Sequence, residues 1–177
     1  MDQEKEEKIL LVFRGAPGAG KMTFVIKNDL QPYTECADTI RMNVNVAYRK
    51  PFFMGGRDGN EHDVIWPMFW GNMHKRAKKD NLIISCNTLT TLSEIKKHEN
   101  FALEHGFKMY IVDFTNVSKT LCKKRNKMKY KCMRVSNELI DDHYERFICN
   151  PIPKHIDVIT PEQAKEMVAT FLKRGLN

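Results

Sequence analysis

The chain lacks the features that would mark it as secreted, membrane-spanning or stapled. Its five cysteines, Cys36, Cys86, Cys122, Cys132 and Cys149, are odd in number, scattered, and form no C-x-x-C pair. That excludes a disulfide framework and a sequence-local zinc site, and reads as reduced intracellular thiols. No apolar run approaches the roughly 20 residues that a membrane-spanning helix needs. The first residues, "MDQEKEEK", carry charge where a secretory signal would carry an apolar stretch. These absences lead to the expectation of a cytoplasmic protein with no membrane partner. There is also no internal repeat, linker or low-complexity tract. A length of 177 residues is therefore expected to form a single domain over 1–177, with residues 1–7 flexible. Glycine is scarce, and three of the nine, Gly15, Gly18 and Gly20, fall within six residues of one another.

Charge is abundant and unbalanced. Lysine and arginine number 29 against 22 acids, for a net charge of +7 and a pI near 9.1. Such a surface suits a polyanionic partner, although solvated lysines alone produce the same balance.

Apolar patterning alternates strand-like and helix-like segments. "ILLVF" (9–13) is a continuous apolar run, as in a strand buried on both faces. A helix is expected from Lys21 to about Asp29, broken by "QPY" (31–33), then a short strand near 35–37 and a helix beginning at Asp38. Residues 48–63, "YRKPFFMGGRDGNEHD", hold most of the turn-forming residues and are expected to be a surface loop. Asp63 can cap a helix bearing Trp66, Phe69, Trp70 and Met73, with Pro67 in its first turn. "LIIS" (82–85) and "KMYIVDF" (108–114) read as strands, separated by a helix from Leu92 to His105 that stops at Gly106. A helix is expected from about Val117, and a strand at "IDVIT" (156–160). Thr160, Pro161 and Gln163 then provide cap, first-turn proline and capping-box partner for a closing helix that ends at Gly175. The alternation predicts an α/β fold, with a parallel sheet covered by helices on both faces.

Residues 15–21, "GAPGAGK", match G-x-x-x-x-G-K between a predicted strand and a predicted helix. In that setting backbone N–H groups turn inward on phosphate oxygens, and the lysine reaches the outer phosphates of a nucleoside triphosphate. The nucleotide-contacting set is Gly15, Ala16, Gly18, Ala19, Gly20, Lys21, Met22 and Thr23. Met22 departs from the pattern, because this position normally offers a hydroxyl to Mg²⁺ and a thioether is a poor ligand for a hard cation. Thr23 is no substitute, since one step along a helix turns a side chain by about 100°.

Asp38 and Arg41 lie three apart, so on a helix they share a face. Beyond the second strand of such a sheet they would sit at the ligand-binding edge. Asp38 could orient or deprotonate an attacking hydroxyl and Arg41 could hold a phosphate of the acceptor. An N-cap aspartate with an i,i+3 ion pair explains the same spacing. Residues 119–134, "KTLCKKRNKMKYKCMR", carry eight basic side chains and no acid. They suit a lid that clamps transferring phosphates, or an exposed basic helix and loop.

The ordered segments "KILLVFRGAPGAGK", "ADTIR", "LIISCNTLTTLSEIKKHENFALEHGFKMYIVDF" and "CKKRNKM…MRVSNELIDDHYERF" resemble the phage-type polynucleotide 5′-kinases. The resemblance runs across roughly residues 8 to 147 and is weakest at 44–65. It implies a P-loop kinase-like α/β fold with a basic lid over 119–134. It implies transfer of the γ-phosphate of ATP to a 5′-hydroxyl end of DNA or RNA. It makes Lys21 the phosphate ligand, Asp38 the catalytic base and Arg41 the holder of the acceptor's 3′-phosphate. The lid contacts become Arg125 and Lys129, with Lys127 and Lys131 as alternatives to the latter. Two departures concern the metal. Met22 replaces the hydroxyl ligand, and Cys86 stands where the family has a carboxylate near the phosphates, so Mg²⁺ would arrive on ATP rather than on protein ligands. Cys86 could be a soft-metal ligand or a buried structural thiol, and the sequence identifies no second thiol or imidazole near it. The alternative functions are a nucleotide- or nucleic-acid-binding pseudokinase and a small-metabolite kinase.

Overall fold

A computed structural model of the chain describes residues 7–48, 64–129 and 133–174. Five strands, β1 (Ile9–Arg14), β2 (Thr34–Glu35), β3 (Leu82–Ser85), β4 (Lys108–Asp113) and β5 (Asp157–Ile159), form one sheet in the order β2-β3-β1-β4-β5. Every pairing is parallel. The uninterrupted apolar runs have the expected cause: β1 and β3 are buried along their whole length because both faces of the sheet are covered.

Alternation along β1 divides the core in two. Ile9, Leu11 and Phe13 face helices α1 (Lys21–Lys27), α5 (Lys119–Lys127), α6 (Asn137–Cys149) and α7 (Pro161–Arg174), through residues such as Val25, Cys122, Ile140 and Val168. Leu10 and Val12 face α2 (Ala37–Tyr48), α3 (Trp66–Ala77) and α4 (Leu92–His105), through Ile40, Phe69, Met73 and Phe101. The even spread of helices over both faces is what the βα alternation predicted.

Local signals set most boundaries. Thr91 and Glu94 form a reciprocal capping box at the start of α4, and Gly106 ends it in a left-handed conformation at φ 71°. Thr160 and Gln163 exchange the same pair of bonds ahead of α7. Several boundaries differ from expectation. "QPY" forms a turn of 3₁₀ helix rather than a plain break. β2 begins one residue early, at Thr34, and α2 starts at Ala37. α5 starts at Lys119 because Ser118, not Val117, supplies the capping oxygen, to the Leu121 N–H. Helix α6, not anticipated as an element, is capped by Ser136 through the Leu139 N–H. Of the expected loop over 48–63, Tyr48 instead ends α2; residues 49–63, the Asp63 cap, the stop at Gly175 and residues 1–6 of the expected flexible start lie outside the described residues.

Beneath β3, His98 is buried between the Ser85 hydroxyl (2.9 Å) and the Glu94 carbonyl (2.8 Å). Burial lowers its pKa to about 4. A histidine near 6.5 when unfolded and near 4 when folded binds fewer protons in the native state. Its contribution is therefore full above pH 6.5 and lost as pH falls toward 4. Urea unfolding is expected to show a loss of roughly 2–3 kcal/mol across that window. His98→Leu should flatten this acid limb, and an equally steep limb in the variant would assign the effect elsewhere.

Candidate active site at the carboxyl edge of the sheet

β1 delivers the chain directly into the loop at 15–20, which turns through Gly18 (φ 89°) and Gly20 (φ 101°) before α1 begins. No side chain caps α1 and its first turn carries no acid. Its leading N–H groups, which have no partner inside the helix, are therefore uncontested by any protein carboxylate. The Lys21 ammonium folds back over the loop and donates to the carbonyls of Gly15 (2.6 Å) and Ala16 (3.1 Å). Burial lowers the Lys21 pKa, and repulsion from Lys129 adds to this, while Asp38 opposes it. Asp38 from α2, Lys129 from beyond α5 and the loop lysine thus share one electrostatic environment, although 91 residues of sequence separate Asp38 from Lys129.

Helix α5 meets the loop at close range. Arg125 donates to the Gly18 carbonyl at 3.3 Å. A Cβ at Gly18 would lie 2.5 Å from the Cys122 carbonyl oxygen, so the backbone of α5 rests on the loop itself. The glycine is needed for this contact as well as for the turn. The eight basic residues of 119–134 do not act alike. Lys119 and Lys123 are committed to Asp141 of α6, at 3.2 and 2.7 Å. Among the described residues of the tract, Arg125 and Lys129 have interactions that reach the loop. Lys127 is exposed, and Lys131 lies outside the described residues. The buried Asn126 amide pairs with both the N–H and the carbonyl of Val135, at 3.2 and 2.8 Å, and so ties the end of α5 to the approach to α6.

Asp38 lies in the first turn of α2 and is not its cap. The Ala37 N–H is held by the Asn87 side chain at 3.1 Å, and the Thr39 N–H donates to the Cys36 carbonyl at 3.1 Å. Arg41 pairs with Asp38 at 2.6 Å, the Asp38 side chain being 52% exposed. The i,i+3 pair predicted from spacing is present, with the carboxylate open to solvent. Arg41 also faces the Trp66 ring, 6.0 Å from its centroid.

The structure places the two positions at which the sequence resemblance expects metal ligands. Met22 is half-buried against the core, Thr23 is exposed, and Cys86 is buried. Cys86 does have a thiol neighbour, which corrects the expectation drawn from the sequence. β2 and β3 pair in register at Glu35 and Ser85, so the next residues, Cys36 and Cys86, come side by side. Interaction with the Cys36 thiol, followed by burial, raises the Cys86 pKa well above the usual thiol value, and interaction with Cys86 lowers that of Cys36. Cys86 is therefore a neutral thiol. A thioether and a protonated thiol offer no oxygen to a hard cation, so the residues present do not fit a protein-ligated Mg²⁺. They do fit a polyphosphate, through the uncapped helix start and the Lys21 and Arg125 cations.

Two residues at this edge carried no sequence signal. Arg14 ends the apolar run of β1, yet it is 2% exposed. It donates to the carbonyls of Asn150 (2.7 Å) and Phe147 (3.2 Å) at the end of α6, leaving Nη1 buried without a partner. His143 of α6 also has a buried Nδ1 without a hydrogen bond. Burial first, then the Lys21 charge, lowers its pKa to about 4, so it is a neutral imidazole near the site. A lone histidine on an amphipathic helix looks like any other until the helix is packed.

No protein-family model matches the chain, and no curated protein sequence matches it. Solved structures do. A chain of the Pnkp1/Rnl/Hen1 RNA repair complex superposes with a TM-score of 0.66 at 16% identity, covering 84% of this chain and 46% of that one. The present chain thus spans about half the length of that RNA-repair chain. A proposed kinase from Chloroflexus aurantiacus J-10-fl gives 0.69 at 11% identity, over 96% and 98% of the two chains. A gluconokinase from Sinorhizobium meliloti 1021 gives 0.53 at 14% identity, over 96% and 94%. At these identities the likeness establishes the fold: a five-stranded parallel sheet with surrounding helices, of the P-loop kinase-like α/β type. Among the described residues no helix is long and apolar enough to cross a membrane.

Proposed function

We propose that the chain is a phosphotransferase that moves the γ-phosphate of ATP to the 5′-hydroxyl end of a nucleic acid. We read residues 1–177 as one domain with 119–134 as its lid. The observation that carries this reading is convergence. Asp38, Lys21, Arg125 and Lys129 come from three separate segments, and their charges or hydrogen bonds meet at one loop.

In this reading Gly15, Ala16, Gly18, Ala19, Gly20, Lys21, Met22 and Thr23 cradle the triphosphate, mainly through backbone N–H groups. Lys21 leaves the loop carbonyls for the outer phosphates. Arg125 and Lys129 neutralise charge on the transferring group. Asp38 accepts the proton of the attacking hydroxyl as its oxygen bonds to phosphorus, and ADP leaves. Arg41, now paired with Asp38, turns to the acceptor's 3′-phosphate. No step is assigned to protein-ligated Mg²⁺. The net charge of +7 and the similarity to a chain of an RNA repair complex support a nucleic-acid acceptor. A specific observation favours a second reading, a pseudokinase that binds but does not transfer: Met22 and Cys86 both lack metal-binding oxygens.

The test supplies labelled ATP, Mg²⁺ or Mn²⁺, and 5′-hydroxyl DNA and RNA oligonucleotides. Transfer is expected, reduced about 10²- to 10⁴-fold by Asp38→Ala, as for loss of a general base. Nucleotide and oligonucleotide binding without transfer would establish the pseudokinase. Transfer to a nucleoside or sugar alone would make the protein a metabolite kinase.

A further inference from the structure

At the opposite edge of the sheet, remote in topology from the phosphate loop, the last turns of α3 and α4 bring two imidazoles and a carboxylate together. His74 Nδ1 lies 2.7 Å from His105 Nε2, and the same His105 nitrogen lies 3.5 Å from a Glu104 oxygen. One ligand atom from each residue falls within 4.8 Å of the other two. We propose that His74, Glu104 and His105 bind a divalent transition-metal ion of the Zn²⁺ type, with water in the fourth position.

The geometry is close to what the ion requires. Zinc bonds of about 2.0–2.1 Å to tetrahedral ligands place those ligands about 3.3 Å apart. The imidazole nitrogens must separate by about half an ångström, while the carboxylate oxygen, 3.5 Å from His105 Nε2, must close in on them. One histidine now donates its N–H to the other. On binding, that proton moves to the far nitrogen of its own ring, so both facing nitrogens present lone pairs. Two imidazoles and a carboxylate select a borderline ion rather than Mg²⁺ or Ca²⁺, which favour all-oxygen sets.

The surroundings support the site. α3 and α4 both end here, and the C-terminal ends of helices favour positive charge. The Lys8 ammonium already uses that potential, donating to the Ala77 carbonyl at 3.0 Å and the His105 carbonyl at 3.4 Å. Phe101 packs on both imidazoles, with ring centroids 5.3 Å from His74 and 4.8 Å from His105, which limits their rotation. The Glu104 side chain is 63% exposed, giving the ion a route in from solvent. A bound ion would clamp α3 to α4 at the amino edge of the sheet. It would be independent of the phosphoryl-transfer reading.

The test titrates the full chain, stripped with a chelator, with Zn²⁺ by calorimetry and with Co²⁺ by absorption. One site is expected, with micromolar or tighter affinity, weakened at least about 50-fold by His74→Ala or His105→Gln and less by Glu104→Ala. Zinc at about a hundredfold excess over its dissociation constant should raise Tm by roughly 5–10 °C, and millimolar Mg²⁺ should not. The Co²⁺ spectrum should lack an intense thiolate charge-transfer band. This measurement on the unmutated chain holds even if a variant misfolds, and far-UV circular dichroism reports that. Affinity weaker than about 100 µM, affinity unchanged in folded variants, or a thiolate band that moves the ion to Cys36 and Cys86 would each overturn the proposal.

Discussion

Gly18→Ala is expected to lower folding stability by roughly 3–5 kcal/mol, the sum of a strained backbone and an overpacked contact. The two causes can be separated within this one chain. Gly18 has φ 89°, and its added Cβ would meet the Cys122 carbonyl oxygen at 2.5 Å. Gly106 has φ 71° but nothing within 4 Å of an added Cβ, so Gly106→Ala isolates the conformational penalty, about 1 kcal/mol. Gly71 lies inside α3 with open space around it. Its replacement by alanine should stabilise the protein by roughly 0.5–1 kcal/mol. For a domain of this size the Gly18 variant should melt about 6–20 °C lower. Equal losses at Gly18 and Gly106 in urea titrations would mean that α5 does not rest on the loop. The corollary is that the loop and α5 are one packed unit, so a side chain at Gly18 should also displace Arg125.

The second large effect is a gain. If turnover is limited by poor placement of Mg²⁺, Met22→Ser with Cys86→Asp should raise the transfer rate at least about tenfold, by analogy with the cost of losing groups that support a metal. The double change supplies a hydroxyl and a carboxylate where the chain has a thioether and a neutral thiol. Lys21 interacts with Cys86 across the site, so the new carboxylate would have a cationic partner. Cys86 is 4% exposed, so the aspartate should also make stability depend on Mg²⁺, with a lower Tm in chelator than in excess metal. Met22→Ser alone changes a half-buried residue and should fold normally. A rate that does not move in a folded double variant would rule out metal placement as the limitation.

Much of this architecture was legible before any coordinates. Strands β1 and β3 announced themselves because burial on both faces selects unbroken apolar runs. The ends of α4 and the start of α7 were legible because capping chemistry acts over three or four residues. The loop at 15–21 was legible for the same local reason, a turn and a helix start encoded in seven consecutive residues. Helix α6 was missed because its apolar positions, Ile140, Tyr144 and Phe147, are diluted by "DDHYER". Its cap, Ser136, gains meaning only once the helix is known. The basic tract 119–134 gave no sign that its side chains differ in partner, since Asp141, which pairs with Lys119 and Lys123, sits on a different helix.

The sequence by itself determined the fold class, the glycine loop between β1 and α1, and the spacing that pairs Asp38 with Arg41. All are written in stretches short enough for helix and strand periodicity to govern. Tertiary structure alone decided which distant groups meet. The strand order set Cys36 beside Cys86, the packing of α5 laid a carbonyl on Gly18, and Arg14 was buried against the end of α6. The convergence of α3 and α4 brought His74 to His105. Those contacts depend on strand order and helix packing across the sheet, and hydrophobic burial of both faces settles them rather than any local pattern of residues.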